Sequence, residues 1–337
     1  MRRYLLAIGA YGRETPISRS SLPDNPAAQK LAKGLAQAHR AYGNPQASVL
    51  FIVQDPERNA FDQRSLEYHL LEDHGIQTVR LTLPQIAHSA RLDHDRRLIV
   101  PKVTAEGGTS EISVVYFRAG YGPGDYPSKP EWNARKLLEL SRAIKCPTII
   151  TQLAGCKKIQ QVLSAHGVLE QLSHLISTKL IHASFVDENA AKNLSQTFTK
   201  MYPFDASQEG LQARKLAFSN PDAYVLKPQR EGGGNNIYRS KIPSFLNSLP
   251  NESHYNAYIL MELILPPTLN NSIIREGKVV TGGVIGELGV FGTILWDDEG
   301  RVLENDQAGW LLRTKGKEVD EGGVAAGYGC IDSVCLV

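Results

Sequence analysis

The sequence predicts an α/β protein whose second half is largely antiparallel sheet, and three observations carry the prediction. Between residues 47 and 154, apolar runs and helical patterns follow one another as strand, helix, strand, strand, helix, strand, the grammar of an open α/β sheet. From residue 224 onward the apolar runs are short and closely spaced, with loops rich in Gly, Asn and Asp between them. A chain of 337 residues also exceeds what one core usually organises, so two domains, or one domain with a lid, are expected.

The elements follow in order. Arg2 and Arg3 precede an apolar run that outlines a weak secretory signal, but Gly12 and Arg13 cut it short, and a first helix or strand is expected over 4–10. Asn25-Pro26 reads as an N-cap with proline in the first turn. Leu31, Leu35, Ala38 and Tyr42 then recur at helical spacing, and Gly43 ends the helix. Val49-Leu50-Phe51-Ile52-Val53 is continuously apolar, as in a strand buried on both faces. A helix over 62–74 stops at Gly75, and strands follow at 78–81 and 112–117. A helix is expected over 132–143, a short strand over 148–150 and a helix over 156–166. Residues 179–221 read as surface helices, and strands are expected at 223–226, 237–238, 258–261, 272–274, 279–280, 290–291 and 311–312. In open α/β sheets ligands gather at the carboxyl ends of strands, which is where the loops after Val53 and Phe117 lie.

Composition excludes several classes. The apolar fraction of 42% and charged fraction of 21% are those of an ordinary globular protein. A formal net charge of +2 is too close to neutral to argue for nucleic acid or anionic membrane as partners. No apolar stretch is long enough to span a bilayer. Cys146, Cys156, Cys330 and Cys335 are too scattered for a disulfide framework and lack zinc-site spacing, so reduced thiols in the cytoplasm are expected. Cys156 beside Lys157 has the look of a nucleophile, but a small packing residue is the simpler reading.

The chemistry collects at a few places. Lys227-Pro228-Gln229-Arg230-Glu231-Gly232-Gly233-Gly234-Asn235-Asn236 lies between two short strands. Glycine lets backbone N–H groups approach a ligand, Lys227 and Arg230 can neutralise phosphate oxygens, and Glu231 can hold the accompanying magnesium. It lacks the Gly-Lys-Ser/Thr ending of the common phosphate loop. Glu57-Arg58-Asn59 with Gln63 carries both charges just past a buried strand, which suits a zwitterion; an ordinary helix N-terminus capped by Asn59 or Asp62 is the plain alternative. Arg118-Ala119-Gly120-Tyr121 ends another strand, with an arginine suited to a carboxylate or to a surface ion pair. Arg313-Thr314-Lys315 precedes a second glycine-rich loop, Glu321-Gly322-Gly323-Val324-Ala325-Ala326-Gly327, which reads as a lid over anionic groups or as a solvated loop. Glu287 is a carboxylate between apolar residues, where a partner or ligand is expected. No histidine dyad or triad has a recognisable local motif. Together these features suit an enzyme that uses ATP and magnesium to activate a carboxylate toward an amine.

These residues also carry a resemblance. Glu57-Arg58-Asn59-Ala60-Phe61-Asp62-Gln63-Arg64, Tyr116-Phe117-Arg118-Ala119-Gly120-Tyr121, Gln152-Leu153-Ala154-Gly155-Cys156-Lys157-Lys158-Ile159-Gln160-Gln161, the 227–236 stretch, Tyr258-Ile259-Leu260-Met261-Glu262, Leu312-Arg313-Thr314-Lys315 and the 321–327 loop occur in the order found in eukaryotic glutathione synthetases. The chain resembles that family of ATP-grasp ligases, in wording similar to its fungal members, from about residue 25 to its end. The resemblance implies an ATP-grasp fold with an inserted open α/β substrate-binding domain and a glycine-rich lid. It divides the chain into an N-terminal helical segment (1–46), the α/β substrate-binding domain (47–154) and the ATP-grasp domain (155–337), with the lid at about 222–265. The implied reaction joins γ-glutamylcysteine and glycine, with ATP and Mg2+, in a cytoplasmic homodimer that uses neither nucleic acid nor membrane.

By that resemblance Lys157 and Lys227 contact ATP phosphates, and Pro228, Gln229, Arg230, Glu231, Gly232, Gly233, Gly234, Asn235, Asn236 and Tyr238 cover the nucleotide. Glu231 ligates magnesium, and Met261, Glu262, Leu263 and Ile264 line the adenine edge. Glu287, Lys315 and Glu321 complete the ATP site. Glu57, Arg58, Asn59, Gln63, Arg118, Ala119, Gly120 and Tyr121 hold γ-glutamylcysteine, while Arg313, Val324 and Ala325 hold the terminal acid and the glycine. The catalytic group is Arg313, Lys227 and Glu231. Two departures stand out. Family members have an N-terminal segment ahead of the part matched here, with a metal-ligating Glu-x-Asn pair, a substrate-binding arginine and serine-bearing loops, and residues 1–46 contain no Glu-x-Asn. Gly286 stands where serine is usual. A nucleotide-binding paralogue without ligase activity, and a ligase for another amine or peptide, are the alternative readings.

Overall fold

The structure, a computed structural model, describes residues 20–102, 107–172, 188–230, 234–275, 277–324 and 327–336. The expected first element over 4–10 lies outside them. The chain forms two compact units: Met1–Cys146 with Pro266–Leu295 and Val302–Val337, and Pro147–Leu265 with Trp296–Arg301.

The first unit begins with α1 (Ala27–Tyr42), which ends as expected at Gly43 in the left-handed conformation. Its start differs from expectation. Pro26 occupies the cap position without a side-chain hydrogen bond, and the Asn25 amide instead bonds both backbone groups of Trp310, at 2.7 and 3.1 Å. Strand β1 (Ser48–Ile52) is buried along its whole length. Helix α2 (Ala60–His74) stops at Gly75, φ +68, and β2 (Thr78–Leu81) runs parallel to β1.

Residues 82–108 carried no expectation. They hold α3 (Leu83–Ser89), opened by a reciprocal cap between Thr82 and Gln85, and the antiparallel pair β3 (Arg91–Leu92) and β4 (Leu98–Pro101). Strand β5 (Thr109–Phe117) runs parallel to β1; it pairs antiparallel with β4 through its first half and parallel with β6 (Ile144–Cys146) further on. Helix α4 (Lys129–Leu140) starts three residues earlier than expected, because Pro130 suits a first turn and Glu131 accepts bonds from the Ser128 amide and hydroxyl. Helices α1 and α2 cover one face of this sheet, over Val49, Phe51 and Val114; α3 and α4 cover the other, over Leu50, Ile52, Val115 and Leu98.

The expected strand at 148–150 is a correction. Thr148 caps α5 (Ile149–Ala154) by accepting the Thr151 amide, and the strand is 144–146, because Pro147 ends the pairing with β5. The second unit continues with α6 (Lys157–Leu163), α7 (Glu188–Ser195), β7 (Met201–Pro203), α8 (Gln208–Ser219), β8 (Tyr224–Pro228), β9 (Ile237–Tyr238), α9 (Lys241–Ser248) and β10 (Tyr258–Glu262). Its sheet, ordered β7-β10-β8-β9, is antiparallel throughout. Helices α8 and α9 bury Ala213, Ala217, Ile242 and Leu246 against Leu226 and Leu260. The surface helices expected over 179–221 include α7 and α8, with β7 between them; residues 173–187 lie outside the described residues.

The first unit resumes with a sheet ordered β11 (Leu269–Arg275), β12 (Lys278–Trp296), β13 (Val302–Gly316) and β14 (Cys330–Asp332). The two short runs expected at 279–280 and 290–291 belong to one strand of 19 residues. Its glycines do not break it. One lets other atoms come close: a Cβ on Gly283 would stand 2.7 Å from the Lys317 Cδ. Helix α1 packs on this sheet just as closely, with a Cβ on Gly34 placed 2.6 Å from the Thr293 methyl and Lys33 paired to Asp306 at 2.8 Å.

Candidate active site

Because β1 and β5 are parallel neighbours, the loops that leave their carboxyl ends lie side by side. Asp125 ties them together. Its carboxylate accepts from the Gln54 side chain (3.0 Å) on one loop and from the Gly120 (2.9 Å) and Gly122 (3.2 Å) amides on the other. The Tyr126 hydroxyl donates to the Gly120 carbonyl at 2.9 Å and its ring stacks on Trp132, centroids 4.3 Å apart. Gly120 is required here: φ is +86 and a Cβ would lie 2.9 Å from that hydroxyl.

Within this frame Arg118 lies over the Tyr116 ring, 5.7 Å from its centroid, and its Nε is buried with no partner among the described residues. An unsatisfied buried donor of this kind points to a missing acceptor. Ala119 and Gly120 are buried, and Tyr121 is exposed. Glu57 is half-buried. Its carboxylate accepts from the Asn59 amide (2.8 Å), the Gln63 side chain (2.8 Å) and the Gln54 amide (3.4 Å). Burial opposes its ionisation, but the Gln63 bond, the two amides and nearby Arg80 outweigh that and hold the Glu57 carboxyl below the usual range. Asn59 is at the N-cap position of α2 without a side-chain capping bond, and Arg58 is exposed.

The second group in this unit lies on β12 and β13. Glu287 pairs with Arg313 and with Lys315, each at 3.0 Å, so one carboxylate bridges two cations. Lys315 is buried and also donates to the Asp320 carbonyl at 2.9 Å. The glycine-rich segment passes close by: a Cβ on Gly322 would be 2.3 Å from the Glu287 carboxylate, so no larger residue fits with the bridge in place. Glu321 and Val324 are half-buried, and Ala325 lies outside the described residues.

In the second unit β8 and β9 form the expected hairpin, pairing Val225 with Tyr238 and Leu226 with Ile237. Lys227 and Pro228 end β8, half-buried. Gln229 accepts the Lys158 amide at 2.9 Å, which fastens the hairpin loop to the start of α6, where Lys157 is the first residue. Arg230 and Gly234 are exposed, Asn235 is half-buried, and Asn236 donates to the Tyr238 hydroxyl at 3.1 Å. Glu231, Gly232 and Gly233 lie outside the described residues. Met261 and Glu262 end β10. The Glu262 side chain accepts from the Tyr202 hydroxyl at 2.8 Å; burial and this bond push the Tyr202 phenol well above its ordinary range. The Leu263 amide bonds the Ala223 carbonyl, and Ile264 is exposed.

Sequence patterns missed several residues of these groups: Gln54, Arg80, Asp125 and Tyr202. Arg80 alone left a usable signal, a charge inside an otherwise apolar strand.

Comparison with known proteins bears on the assignment. A profile of the eukaryotic glutathione synthase ATP binding domain matches residues 1–336. The chain belongs to the eukaryotic glutathione synthase family. The chloroplastic glutathione synthetase of Arabidopsis thaliana is 41% identical over 97% of this chain and 57% of its own length. The human glutathione synthetase is 44% identical over 93% of this chain and 61% of its own. The glutathione synthetase large chain of Schizosaccharomyces pombe is 37% identical over 100% of this chain and 67% of its own. The chain thus spans about three-fifths of the length of the curated relatives it matches. A glutathione synthetase-like effector of Globodera pallida, solved in apo form, superposes with a TM-score of 0.67 at 20% identity, covering 94% of this chain and 63% of its own, and supports the fold. The α/β ATP-grasp fold expected from the sequence is the fold of this family.

Proposed function

We propose that the chain is an ATP-dependent ligase that joins γ-glutamylcysteine to glycine, giving glutathione, ADP and phosphate. The observation that carries this reading is the bridge of Arg313 and Lys315 by Glu287, beside a glycine segment, in a chain that matches the glutathione synthase profile throughout. Two cations held at one carboxylate are suited to anions that develop charge during transfer. In the first unit Arg118, whose buried Nε has no partner among the described residues, takes a carboxylate of the peptide, and Glu57, kept ionised by its hydrogen bonds, takes an ammonium. Asn59, Gln63, Ala119, Gly120 and Tyr121 shape that pocket, and Arg58 adds charge at its rim. Arg313, Val324 and Ala325 take the reacting acid and the glycine. Glu287, Lys315 and Glu321 serve the nucleotide.

In the second unit Lys157, Lys227 and Arg230 neutralise phosphates. The Gln229–Tyr238 segment covers them, and Met261–Ile264 bounds the base. The peptide carboxylate attacks the terminal phosphate, ADP leaves, and the glycine amine displaces phosphate from the acyl group. No protein nucleophile is needed. Among the described residues the one cluster with metal-ligand spacing is Asp93, His94 and Asp95, apart from these groups, and Glu231, the residue that would hold magnesium, lies outside the described residues. When bound, magnesium would supply charge neutralisation at the phosphates. A homodimer, a cytoplasmic location with the cysteines as thiols, and the absence of nucleic-acid and membrane partners belong to the same proposal. No helix among the described residues is long and apolar enough to cross a membrane.

A coupled assay of ADP release with γ-glutamylcysteine, glycine and magnesium tests the reading. ADP that requires both substrates is expected. ADP only with another amine would replace glycine, and nucleotide uptake without ADP for any amine would overturn ligase activity.

A further inference from the structure

Arg80 has no part in the proposed site, yet its position in β2 gives it control over the loop after β1. The guanidinium reaches across to α2 in a fork. One arm pairs with Glu67, and the other donates to the side-chain oxygen of Gln63 at 2.6 Å. Glu67 also takes Arg64 at 2.7 Å and the Thr78 hydroxyl at 3.5 Å. Gln63 and Glu67 are only 1% and 5% exposed, so water does not substitute for these partners.

The consequence is directional. A glutamine amide has two ends of nearly equal shape, one an acceptor and one a donor. A guanidinium only donates, so Gln63 must turn its oxygen toward Arg80. That leaves its NH2 aimed at Glu57, which accepts at 2.8 Å. With Arg80 gone, the Gln63 oxygen loses its donor and only the Glu57 carboxylate at the other end still favours this orientation, so the amide is no longer held from both sides.

We infer that Arg80 is a positioning residue: through the amide of Gln63 it fixes the carboxylate of Glu57 in the loop that reads the substrate. The inference rests on the proposed reading only in making Glu57 a substrate contact; the coupling of Arg80 to Glu57 stands apart from it. Lysine at this position keeps the charge beside Glu67 but has no fork with which to hold Glu67 and Gln63 together.

Arg80→Lys is therefore the test, in the full chain, with two readouts. The first is the Glu57 carboxyl titration, followed by carbon-detected NMR of glutamate-labelled protein and assigned with Glu57→Gln. Wild type is expected to titrate below the usual range and Arg80→Lys to move up toward it, although net charge is unchanged. The second is steady-state kinetics, where KM for γ-glutamylcysteine should rise roughly tenfold, the loss of one charge-assisted hydrogen bond, with kcat and KM for ATP within about twofold. A merely structural role would instead lower the thermal midpoint and leave the Glu57 titration where it was, and an unmoved titration overturns the inference whatever the kinetics. A titration that moves while KM does not supports the positioning role and counts against Glu57 as a substrate contact. If wild type makes no ADP, the titration alone still decides. Should Arg80→Lys fail to fold, Gln63→Leu breaks the same link, and an unmoved Glu57 titration there also overturns it.

Discussion

Gly120 shows how much one residue can carry at a strand end. Its φ of +86 and the 2.9 Å gap to the Tyr126 hydroxyl mean that even a methyl group strains the backbone and displaces the phenol. Gly120→Ala should lower stability by about 1–3 kcal/mol, read from the urea midpoint, and should weaken γ-glutamylcysteine more than ATP. Equal loss of both would detach Gly120 from the peptide pocket. Glu231 gives a second prediction of this scale. Glu231→Gln should cut kcat about a hundredfold while leaving ATP affinity within a few-fold, if Glu231 holds magnesium as the family resemblance implies, because its neutralisation would then act on the charge that develops in transfer. Near-normal turnover would remove Glu231 from the metal role. The types of residue at 57, 63, 118, 287, 313 and 315 were legible in the sequence, because charges next to apolar runs stand out. Their partners were not. Asp125 is far along the chain from Gln54 and Arg80 from Gln63, and the parallel pairing of β1 with β2 and β5 brings them together.

Elements were read best where local rules act alone. The glycine stops at Gly43 and Gly75 hold, because a helix end in the left-handed region favours glycine whatever surrounds it. Caps were read less well. Asn25 has the chemistry of an N-cap, but Trp310 offers both a donor and an acceptor, and a bidentate amide contact outcompetes a single capping bond. Asn25→Ala should therefore destabilise by about 1–2 kcal/mol in urea unfolding without an equal change in peptide helicity of a fragment spanning α1. A matching loss of helicity in the fragment would restore the capping reading. Strand length was misjudged for the same reason: the glycines of β12 look like breaks to a local rule, while the neighbouring strands β11 and β13 hold it extended.

Across the molecule, buried and hydrogen-bonded titratable groups set an acid limit. Burial, with Arg40 nearby, lowers both His39 and His74, so each is neutral when folded and gains a proton on unfolding. Stability should thus begin to fall as pH drops below about 6.5, where the unfolded histidines charge, and keep falling until the lowered folded values are passed. Glu57 and Asp205 work in a lower window. Asp205 is held down first by Ser207, with Lys158 adding to it, and Glu57 by the bonds already described. Their stabilisation is complete only above their unfolded values, about 4.5 for Glu57 and 3.8 for Asp205, and is lost as pH falls through their depressed folded values. Urea midpoints measured from pH 8 to 3 should show a decline in two stages, and His39→Gln should shrink the upper one. A midpoint that rises on acidification from pH 7 to 5 would contradict this. The amino-acid sequence alone determined the succession of strands and helices outside 82–108, 148–150 and β12, the loops where charge gathers, and the family, since each depends on neighbours within a few residues or on ordered motifs. Tertiary structure decided which charges face one another: Glu287 between Arg313 and Lys315, Asn25 on Trp310, Arg80 on Gln63. Those pairings depend on strand register and on close helix–sheet contact, and neither leaves a periodic trace along the chain.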